Sequence, residues 1–233
     1  IKFVDKMGDD FRVFEAAKAT LGGEEESGFV RGETDPSRLI NFLAREGHIT
    51  PFCHPHVTFE CEAPIAIARQ LGKHQVGFRW NERSMRYKDS VIDVYVPDMF
   101  RGRPGKLHDG SLDLDVGENG TDVNVQEYTE DGQHLRNRSL LLNELYEKAI
   151  EDAVEAYEAL LVAGLAPEQA RFVLPQGMIT RWIWTGSLYG WYEVWRQRSS
   201  EHAQYEARLF ASQLDTHMSS LFPIAWEALK GNK

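Results

Sequence analysis

Hydrophobic residues recur every three to four positions in six stretches of the chain, a spacing that places them on one face of a helix. Helix-boundary signals accompany two of these stretches. Asp35-Pro36 puts a proline at the first helical position and Gly47 closes the same helix, while Gly164 follows the longest stretch. The six predicted helices cover about residues 10–21, 36–46, 65–74, 140–162, 188–197 and 201–221.

Four other stretches, each five to seven residues long, alternate or run apolar in the way that strands do. The strongest signal is Val91–Val96, which stops at Pro97 because proline has no N–H for a sheet ladder. The others cover residues 1–7, 57–61 and 178–184. Strands and helices interleave without a repeat or a linker, so we predict a single, helix-rich α+β domain over residues 1–233.

Residues 98–133 are rich in Gly, Asp and Asn and show neither periodicity. Loops of that length are uncommon inside compact domains, so this stretch is predicted to be a loop insertion. Its acidic residues suggest calcium, but the spacing of an EF-hand loop is absent. We therefore predict no metal site there.

The net charge of −10 argues against a general nucleic-acid-binding protein, because such a protein would carry a basic face. A few arginines can still converge on a small phosphorylated ligand in an acidic protein. No apolar run is long enough to span a membrane, and no secretory signal opens the sequence. Two cysteines are too few for a disulfide framework, so a reducing cytoplasm is the expected compartment.

Polar side chains gather among apolar ones in three places, within residues 47–56, 69–87 and 185–202. The second is the densest in donors suited to an anion, with Lys73, Arg83, Ser84 and Arg86, and its Glu82 can accept from a sugar hydroxyl. A solvated charged loop remains the alternative explanation. In the third, Arg198 stands at a junction between two predicted helices, where a surface arginine is the alternative to a ligand contact.

Residues 47–56, together with Cys61, are compatible with two other kinds of site. Cys53, His54, His56 and Cys61 could bind a metal, but they lack zinc-site spacing, and neighbouring residues of a strand point to opposite faces. A cysteine nucleophile with a histidine base is the second possibility. Neither cysteine lies in a recognisable nucleophile turn, and buried structural thiols are common. We therefore predict neither a metal site nor cysteine catalysis.

Taken in order, these segments resemble the flavin-dependent thymidylate synthases. That family's signature is Arg-His-Arg, seven residues, then Ser and x-Arg-Tyr. This chain has Lys73-His74-Gln75, eight residues, then Ser84-Met85-Arg86-Tyr87. The supporting matches extend from His48 to the C-terminus; they are Gly47-His48-x-Thr50-Pro51-Phe52, Ala63-Pro64 through Arg69-Gln70, Ala170-Arg171 to Leu174-Pro175, Thr185-Gly186-Ser187 and Arg198-x-x-x-His202-Ala203-Gln204.

The resemblance implies the family's fold, with a mixed sheet and long helices, and its reaction. NADPH reduces a tightly bound FAD, a methylene group from methylenetetrahydrofolate reaches C5 of dUMP, and the product is dTMP. No cysteine nucleophile and no metal are needed. The resemblance also implies a homotetramer with active sites shared between subunits.

The matching positions imply roles for individual residues. Arg198 is the implied catalytic residue, which holds the uracil ring and favours its N3-deprotonated form. The implied FAD contacts are His48, Thr50, Lys73, His74, Gln75, Glu82, Ser187 and His202. The implied dUMP contacts are Gln70, Lys73, Arg83, Ser84, Met85, Arg86, Arg171 and Arg198.

The chain departs from the family pattern at five positions. Lys73 and Gln75 replace the two signature arginines, and Cys53 stands where members often have Glu. Tyr189 and Glu193 replace an Arg and a polar residue that serve the flavin nucleotide. Three rival functions follow: a nucleotide- or flavin-binding protein without turnover, a metal-dependent hydrolase, and a scaffold built on the long helix. Flavin absorption and metal analysis would separate them.

Overall fold

The computed structural model describes residues 1–19, 34–84, 92–105, 111–113, 122–129 and 131–231. The chain divides into two compact units, one formed by residues 1–63, 67–83 and 180–233 and the other by residues 64–66 and 84–179. The strands are β1 (Lys2–Met7), β2 (His56–Pro64), β3 (Phe78–Glu82), β4 (Arg101–Gly102), β5 (Leu112–Asp113), β6 (Asp122–Tyr128), β7 (His134–Leu141) and β8 (Ile179–Ser187). The helices are α1 (Asp10–Lys18), α2 (Ser37–Arg45), α3 (Ile65–Leu71), α4 (Leu142–Val162), α5 (Pro167–Ala170), α6 (Leu188–Arg198), α7 (Tyr205–Leu221) and α8 (Ala225–Lys230).

A four-stranded sheet in the order β1-β2-β8-β3 forms the centre of the first unit. Residues 180–187 of β8 alternate because one face of the strand is buried: Trp182 and Trp184 lie inside, whereas Arg181 and Ile183 are exposed. In the antiparallel pairing of β3 with β8, Phe78 lies opposite Gly186. The buried side chains of β3 and β8 therefore form part of the core of this unit.

Aromatic rings fill the space beneath the sheet. The Trp80 and Trp182 rings stack with centroids 4.3 Å apart, and Phe78 packs on Trp184 at 4.7 Å. Trp191 of α6 meets Trp184 edge to face at 4.8 Å. Aromatic pairs in such geometries add about 0.5–1.5 kcal/mol each beyond their area burial. This cluster holds the start of α6 against the sheet.

A buried carboxylate joins the first helix to the last. Asp9 caps α1 by accepting from the Arg12 N–H, and the next residue, Asp10, is buried. The Asp10 carboxylate accepts from the backbone N–H groups of Ile224 and Ala225 at 3.1 and 2.8 Å, where α8 begins. Burial raises the pKa of Asp10, while these two hydrogen bonds act in the opposite direction.

The second unit has its own small core under α4, formed by Tyr157, Ala170, Leu174 and Met178. Two short strands, β4 and β5, pair with each other, and β6 and β7 form a long hairpin. The hairpin turns at residues 129–133, where Gly132 has a φ of +83°. In the part of the chain that the structure describes, no helix is both long and apolar enough to cross a membrane.

The six predicted helices and the α+β class are confirmed, with boundaries that differ from the prediction by up to four residues. The helix expected over residues 65–74 ends at Leu71, because His74 N–H closes a turn onto the Leu71 carbonyl. The helix expected from residue 201 begins at Tyr205, after a turn in which Ala203 N–H reaches the Ser200 carbonyl. The first helix, expected to about residue 21, ends at Lys18, and residues 20–33 lie outside the described residues.

Two predictions in the second unit are wrong. Residues 92–96 do not form an extended strand; they make one bridge, Val94 to Met178, and Pro97 ends the pairing. The 98–133 stretch is not a plain loop, since β4, β5 and β6 lie within it. The described side chains of β6 are exposed or half-buried, so the hairpin depends on ladder hydrogen bonds and leaves little apolar signal in the sequence.

Gly186 gives the first testable prediction, because a methyl group there would overlap the Phe78 ring. We expect Gly186→Ala to lower the free energy of unfolding by about 1–3 kcal/mol through overpacking. The matched control is Gly105→Ala, where no atom lies within 4 Å of the added carbon and stability should be unchanged or slightly higher. Urea unfolding followed by tryptophan fluorescence measures both. Equal stability of the two variants would contradict the packing described.

Candidate functional site

A cleft of about 390 Å³ opens in the first unit, between the α3–β3 connection and helix α6. Five of the residues that the resemblance implies as FAD or dUMP contacts line it: Lys73, His74, Gln75, Ser187 and Arg198. Sequence positions more than 100 residues apart thus meet around one space. The volume is within the usual range for small-molecule sites, which is about 300–1,000 Å³.

The α3–β3 connection, residues 72–77, follows a tight path against the start of α6. Gly77 has a φ of +77°, and a Cβ there would lie 2.9 Å from the Ser187 hydroxyl oxygen. The Ser187 N–H donates to the Gly77 carbonyl at 3.1 Å. Only glycine combines this backbone conformation with such a close approach at little energetic cost. The connection is therefore held beside α6 by its last residue.

Ser187 has a structural role that the sequence did not reveal. It is the N-cap of α6, and its side-chain oxygen accepts from the Gly190 N–H at 3.1 Å. Its hydroxyl hydrogen remains able to donate, and the residue lines the cleft. Ser187 thus fixes the helix that forms one wall, whether or not it also contacts a ligand.

Arg198, the last residue of α6, is anchored along one edge of its guanidinium. Its Nε donates to Nε2 of His74 at 3.2 Å, and its Nη2 donates to the backbone carbonyl of Gln70 at 3.2 Å. Its Nη1 makes no hydrogen bond to any residue in the described ranges. Burial lowers the pKa of Arg198, but a guanidinium keeps its charge in proteins. The cleft therefore contains a fixed cation whose Nη1 remains available to donate hydrogen bonds.

His74 is neutral at physiological pH. Burial, followed by the positive charge of Arg198, lowers its pKa from 6.5 to about 4, while Glu193 has the opposite effect. Since the Arg198 N–H donates to Nε2, the imidazole proton must be on Nδ1. His74 therefore presents an acceptor to Arg198 and a donor at its other ring nitrogen.

The lining of the cleft also contains a carboxylate whose charge is compensated. Glu193 accepts from Nε and Nη2 of Arg196 at 3.1 and 2.7 Å, and these contacts hold the pKa of Glu193 low. The Tyr189 hydroxyl also hydrogen-bonds to Glu193. The ammonium of Lys73 pairs with no acidic group within the described chain. The uncompensated charges that line the cleft are thus those of Lys73 and Arg198.

A second cleft, of about 290 Å³, shares Ile49 and Tyr189 with the first. His48 lines this second cleft, with its ring edge to face against Phe42 at 6.0 Å. Gln197 also lines the first cleft, although it was not among the residues predicted from the sequence. The i, i+4 spacing of residues 189, 193 and 197 could have shown that they share a helix face.

The other residues singled out from the sequence are distributed as follows. Thr50, Glu82, Arg83 and His202 are exposed residues of the first unit and line neither cleft as described; Glu82 accepts from the Thr180 hydroxyl at 2.7 Å. Gln70 reaches the cleft only through its carbonyl contact with Arg198. Ser84 and Arg171 belong to the second unit. Met85 and Arg86 lie outside the described residues.

Neither cysteine has the character of a nucleophile. Burial raises the pKa of Cys53, which lines the cleft, and it raises that of Cys61 to about 12. Both thiols are therefore protonated at neutral pH, and the thiolate is the reactive form. Within the described ranges, no three His, Cys, Asp or Glu side chains converge in a way that could hold a metal ion.

Comparison with known proteins assigns the family. The family model for the thymidylate synthase complementing protein matches residues 2–224. This chain belongs to the flavin-dependent thymidylate synthase family. It is 32% identical to the flavin-dependent thymidylate synthase of Thermosipho africanus, over 98% of this chain and 89% of the relative. It is 33% identical to that of Kosmotoga olearia, over 98% of this chain and 88% of the relative.

A solved structure agrees with the assignment. The crystal structure of the UMP/dUMP methylase PolB from Streptomyces cacaoi bound with 5-Br dUMP is similar to this chain with a TM-score of 0.79 and 26% identity. The similarity covers 99% of this chain and 94% of that one. The expected fold is confirmed, and the chain is a methyltransferase of the flavin-dependent thymidylate synthase family.

The lowered pKa of His74 predicts a pH dependence of stability. Between pH 6.5 and about 4 the unfolded chain binds a proton at His74 that the folded chain does not, so stability falls on acidification across this window. We expect His74→Gln to reduce the slope of unfolding free energy against pH in that range. Chemical unfolding at several pH values measures it. Identical slopes for wild type and variant would show that His74 titrates normally in the folded protein.

Proposed function

We propose that this chain converts dUMP to dTMP by reductive methylation, with methylenetetrahydrofolate as carbon donor, FAD as tightly bound cofactor and NADPH as reductant. The observation that carries the proposal is the meeting of Lys73, His74 and Gln75 with Ser187 and Arg198 on one cleft. These residues occupy the family's signature positions and two of its accompanying segments. The names of the relatives and of the structural neighbour, a UMP/dUMP methylase, support the same reaction.

The groups that line the cleft suit a flavin nucleotide. Lys73 offers a positive donor to phosphate or to a carbonyl-rich ring, and Gln75 adds an uncharged amide. Tyr189 offers an aromatic face. A dinucleotide is larger than the drug-sized ligands that such clefts commonly enclose, so this cleft would hold part of it. A cleft that encloses only part of the cofactor suits the proposed homotetramer, in which a second subunit completes each site.

When bound, the cofactor supplies hydride chemistry and the relay of the one-carbon group. The task of this chain is to bind and polarise the pyrimidine. Arg198 would place a fixed cation beside the uracil ring, favouring the N3-deprotonated form and so raising the electron density at C5. Its two anchored nitrogens make the guanidinium rigid before substrate arrives. The protonated thiols of Cys53 and Cys61 suit a reaction without a cysteine nucleophile.

The remaining proposed contacts rest on family positions. We propose Gln70, Arg83, Ser84, Met85, Arg86 and Arg171 as further dUMP contacts, with Lys73 and Arg198, and His48, Thr50, Glu82 and His202 as further FAD contacts. We place the reaction in the cytoplasm, without nucleic acid, membrane or metal as partners. The net charge of −10 supports the exclusion of nucleic acid.

The proposed function predicts a yellow protein. Purified protein should show flavin absorption, migrate as a tetramer, and form dTMP from dUMP when methylenetetrahydrofolate and NADPH are added. Absorption spectra, light scattering and chromatography of the nucleotides measure these properties. A protein that binds FAD and dUMP but forms no dTMP is instead a binding protein without turnover. A monomer that stays colourless with added FAD would contradict the whole proposal.

Arg198→Ala tests the role of the cation directly. Loss of one preorganised donor of this kind lowers rates by about 10²–10³-fold, so we expect such a decrease in dTMP formation. NADPH should still reduce the bound flavin, because the cation acts on the pyrimidine. Arg198→Lys should recover only part of the rate, since an ammonium lacks the planar fork.

The matched control for Arg198 is Arg12→Ala. Arg12 is an exposed arginine on α1 that pairs with Glu15 and lines neither cleft. Its loss should leave dTMP formation unchanged, since exposed pairs contribute little. Near wild-type dTMP formation by Arg198→Ala would remove Arg198 from the mechanism.

A further inference from the structure

His74 and Arg198 lie 124 residues apart in sequence and share a hydrogen bond inside the cleft. The bond has a defined direction. Arg198 has only donors, so Nε2 of His74 must be the acceptor, at 3.2 Å. A ring nitrogen that accepts from Arg198 is not available to a ligand. Direct contact between His74 and a ligand is thereby restricted to the N–H at Nδ1.

The Gln70 carbonyl provides the second anchor for the same guanidinium. Gln70 lies in the last turn of α3, where backbone carbonyls have no partner within the helix and carry partial negative charge. One of these carbonyls accepts from Nη2 of Arg198 at 3.2 Å. Two acceptors on one edge hold the guanidinium plane in a single orientation, whereas one acceptor would allow it to rotate. Nη1 is the nitrogen left without a partner among the described residues.

Hydrogen bonds also fix the backbone around His74, so the imidazole ring can hold Arg198 in one position. The His74 N–H donates to the Leu71 carbonyl at 3.0 Å, and the Phe78 N–H donates to the Gln75 carbonyl at 3.1 Å. The connection between these two hydrogen bonds is also held at Gly77 by Ser187. The imidazole is half-buried and its lowered pKa keeps it neutral, which preserves the acceptor.

We propose that His74 is a positioning residue for Arg198: its imidazole holds the Nε edge of the guanidinium so that Nη1 is directed to the pyrimidine. The inference rests on the proposed function, because it assigns Arg198 to the nucleotide. It differs from the role implied by family resemblance, in which His74 contacts FAD. In the proposed role His74 acts through Arg198 and has no separate effect on flavin binding or on flavin reduction.

Two substitutions at residue 74 test whether the hydrogen-bond acceptor of the imidazole is what matters, or only the volume of the side chain. His74→Leu removes the acceptor, and we expect dTMP formation to fall about ten- to hundredfold, as for loss of a hydrogen bond to a charged group. His74→Gln supplies an amide oxygen as acceptor and should retain more of the rate than His74→Leu. The control His54→Leu, at an exposed histidine that lines neither cleft, should have no effect.

A double-mutant cycle with Arg198→Ala decides whether His74 acts through the arginine. In the Arg198→Ala background, His74→Leu should cause no further loss of dTMP formation. The affinity for dUMP, measured by calorimetry, should follow the same pattern. Flavin content and the rate of flavin reduction by NADPH should be the same for His74→Leu and wild type. Urea unfolding of the wild type, the two single variants and the double variant gives a second cycle that does not depend on activity. We expect the effects of the two substitutions on the free energy of unfolding to be non-additive as well.

Several outcomes would overturn the inference. Losses of activity that multiply in the double variant would mean that His74 acts independently of Arg198. Release of flavin from His74→Leu, or equal losses for the Gln and Leu variants, would indicate direct cofactor contact or a purely structural role. An inactive wild-type protein would overturn the proposed function together with this inference. An active wild type with multiplying losses would overturn the inference alone.

Discussion

The pairing of β3 with β8 is the constraint on which the cleft depends. It places the Phe78 ring over Gly186, where a side chain of any size would overlap it. The same ring packs on Trp184 and on Trp191 of α6 at 4.7 and 4.9 Å. With Phe78 fixed in this way, the preceding connection has to pass close to Ser187, the residue that begins α6. The packing of the Phe78 ring against Gly186 therefore keeps the connection close to the start of α6.

The two cations of the cleft are supported differently, and this difference suits different tasks. Arg198 is held by two acceptors and is half-buried, so its orientation is set before a ligand arrives. Lys73 is exposed on the rim and keeps a flexible stem. A flexible ammonium can follow a phosphate as a point charge, whereas a fixed planar guanidinium can stabilise charge at one position in a ring. The arrangement therefore suits the proposed roles of Lys73 in phosphate binding and of Arg198 in catalysis.

Sequence pattern predicted the helices and the strands β1, β2 and β8, and it missed β3 and the hairpin of β6 and β7. The helices and the strand ending at Ser187 show clear periodicity because burial selects alternate or every third to fourth residue. The hairpin of β6 and β7 lacks such selection. For the candidate site, the order of segments along the chain singled out residues 73–75, 187 and 198, and these residues line one cleft. That order could not reveal the capping by Ser187 or the anchoring of Arg198, which depend on contacts between distant segments.

Helix α6 has to combine two groups with opposite effects on His74. Arg198 needs a neutral imidazole as acceptor, whereas the carboxylate of Glu193, one turn earlier, favours the protonated form. Arg196 donates to both oxygens of Glu193 and compensates the carboxylate charge, which weakens the effect of that charge on His74. Burial and Arg198 then dominate the pKa of His74. The pairing of Glu193 with Arg196 on the same helix thus helps to preserve the acceptor that holds Arg198, although neither residue contacts Arg198 in the hydrogen bonds described.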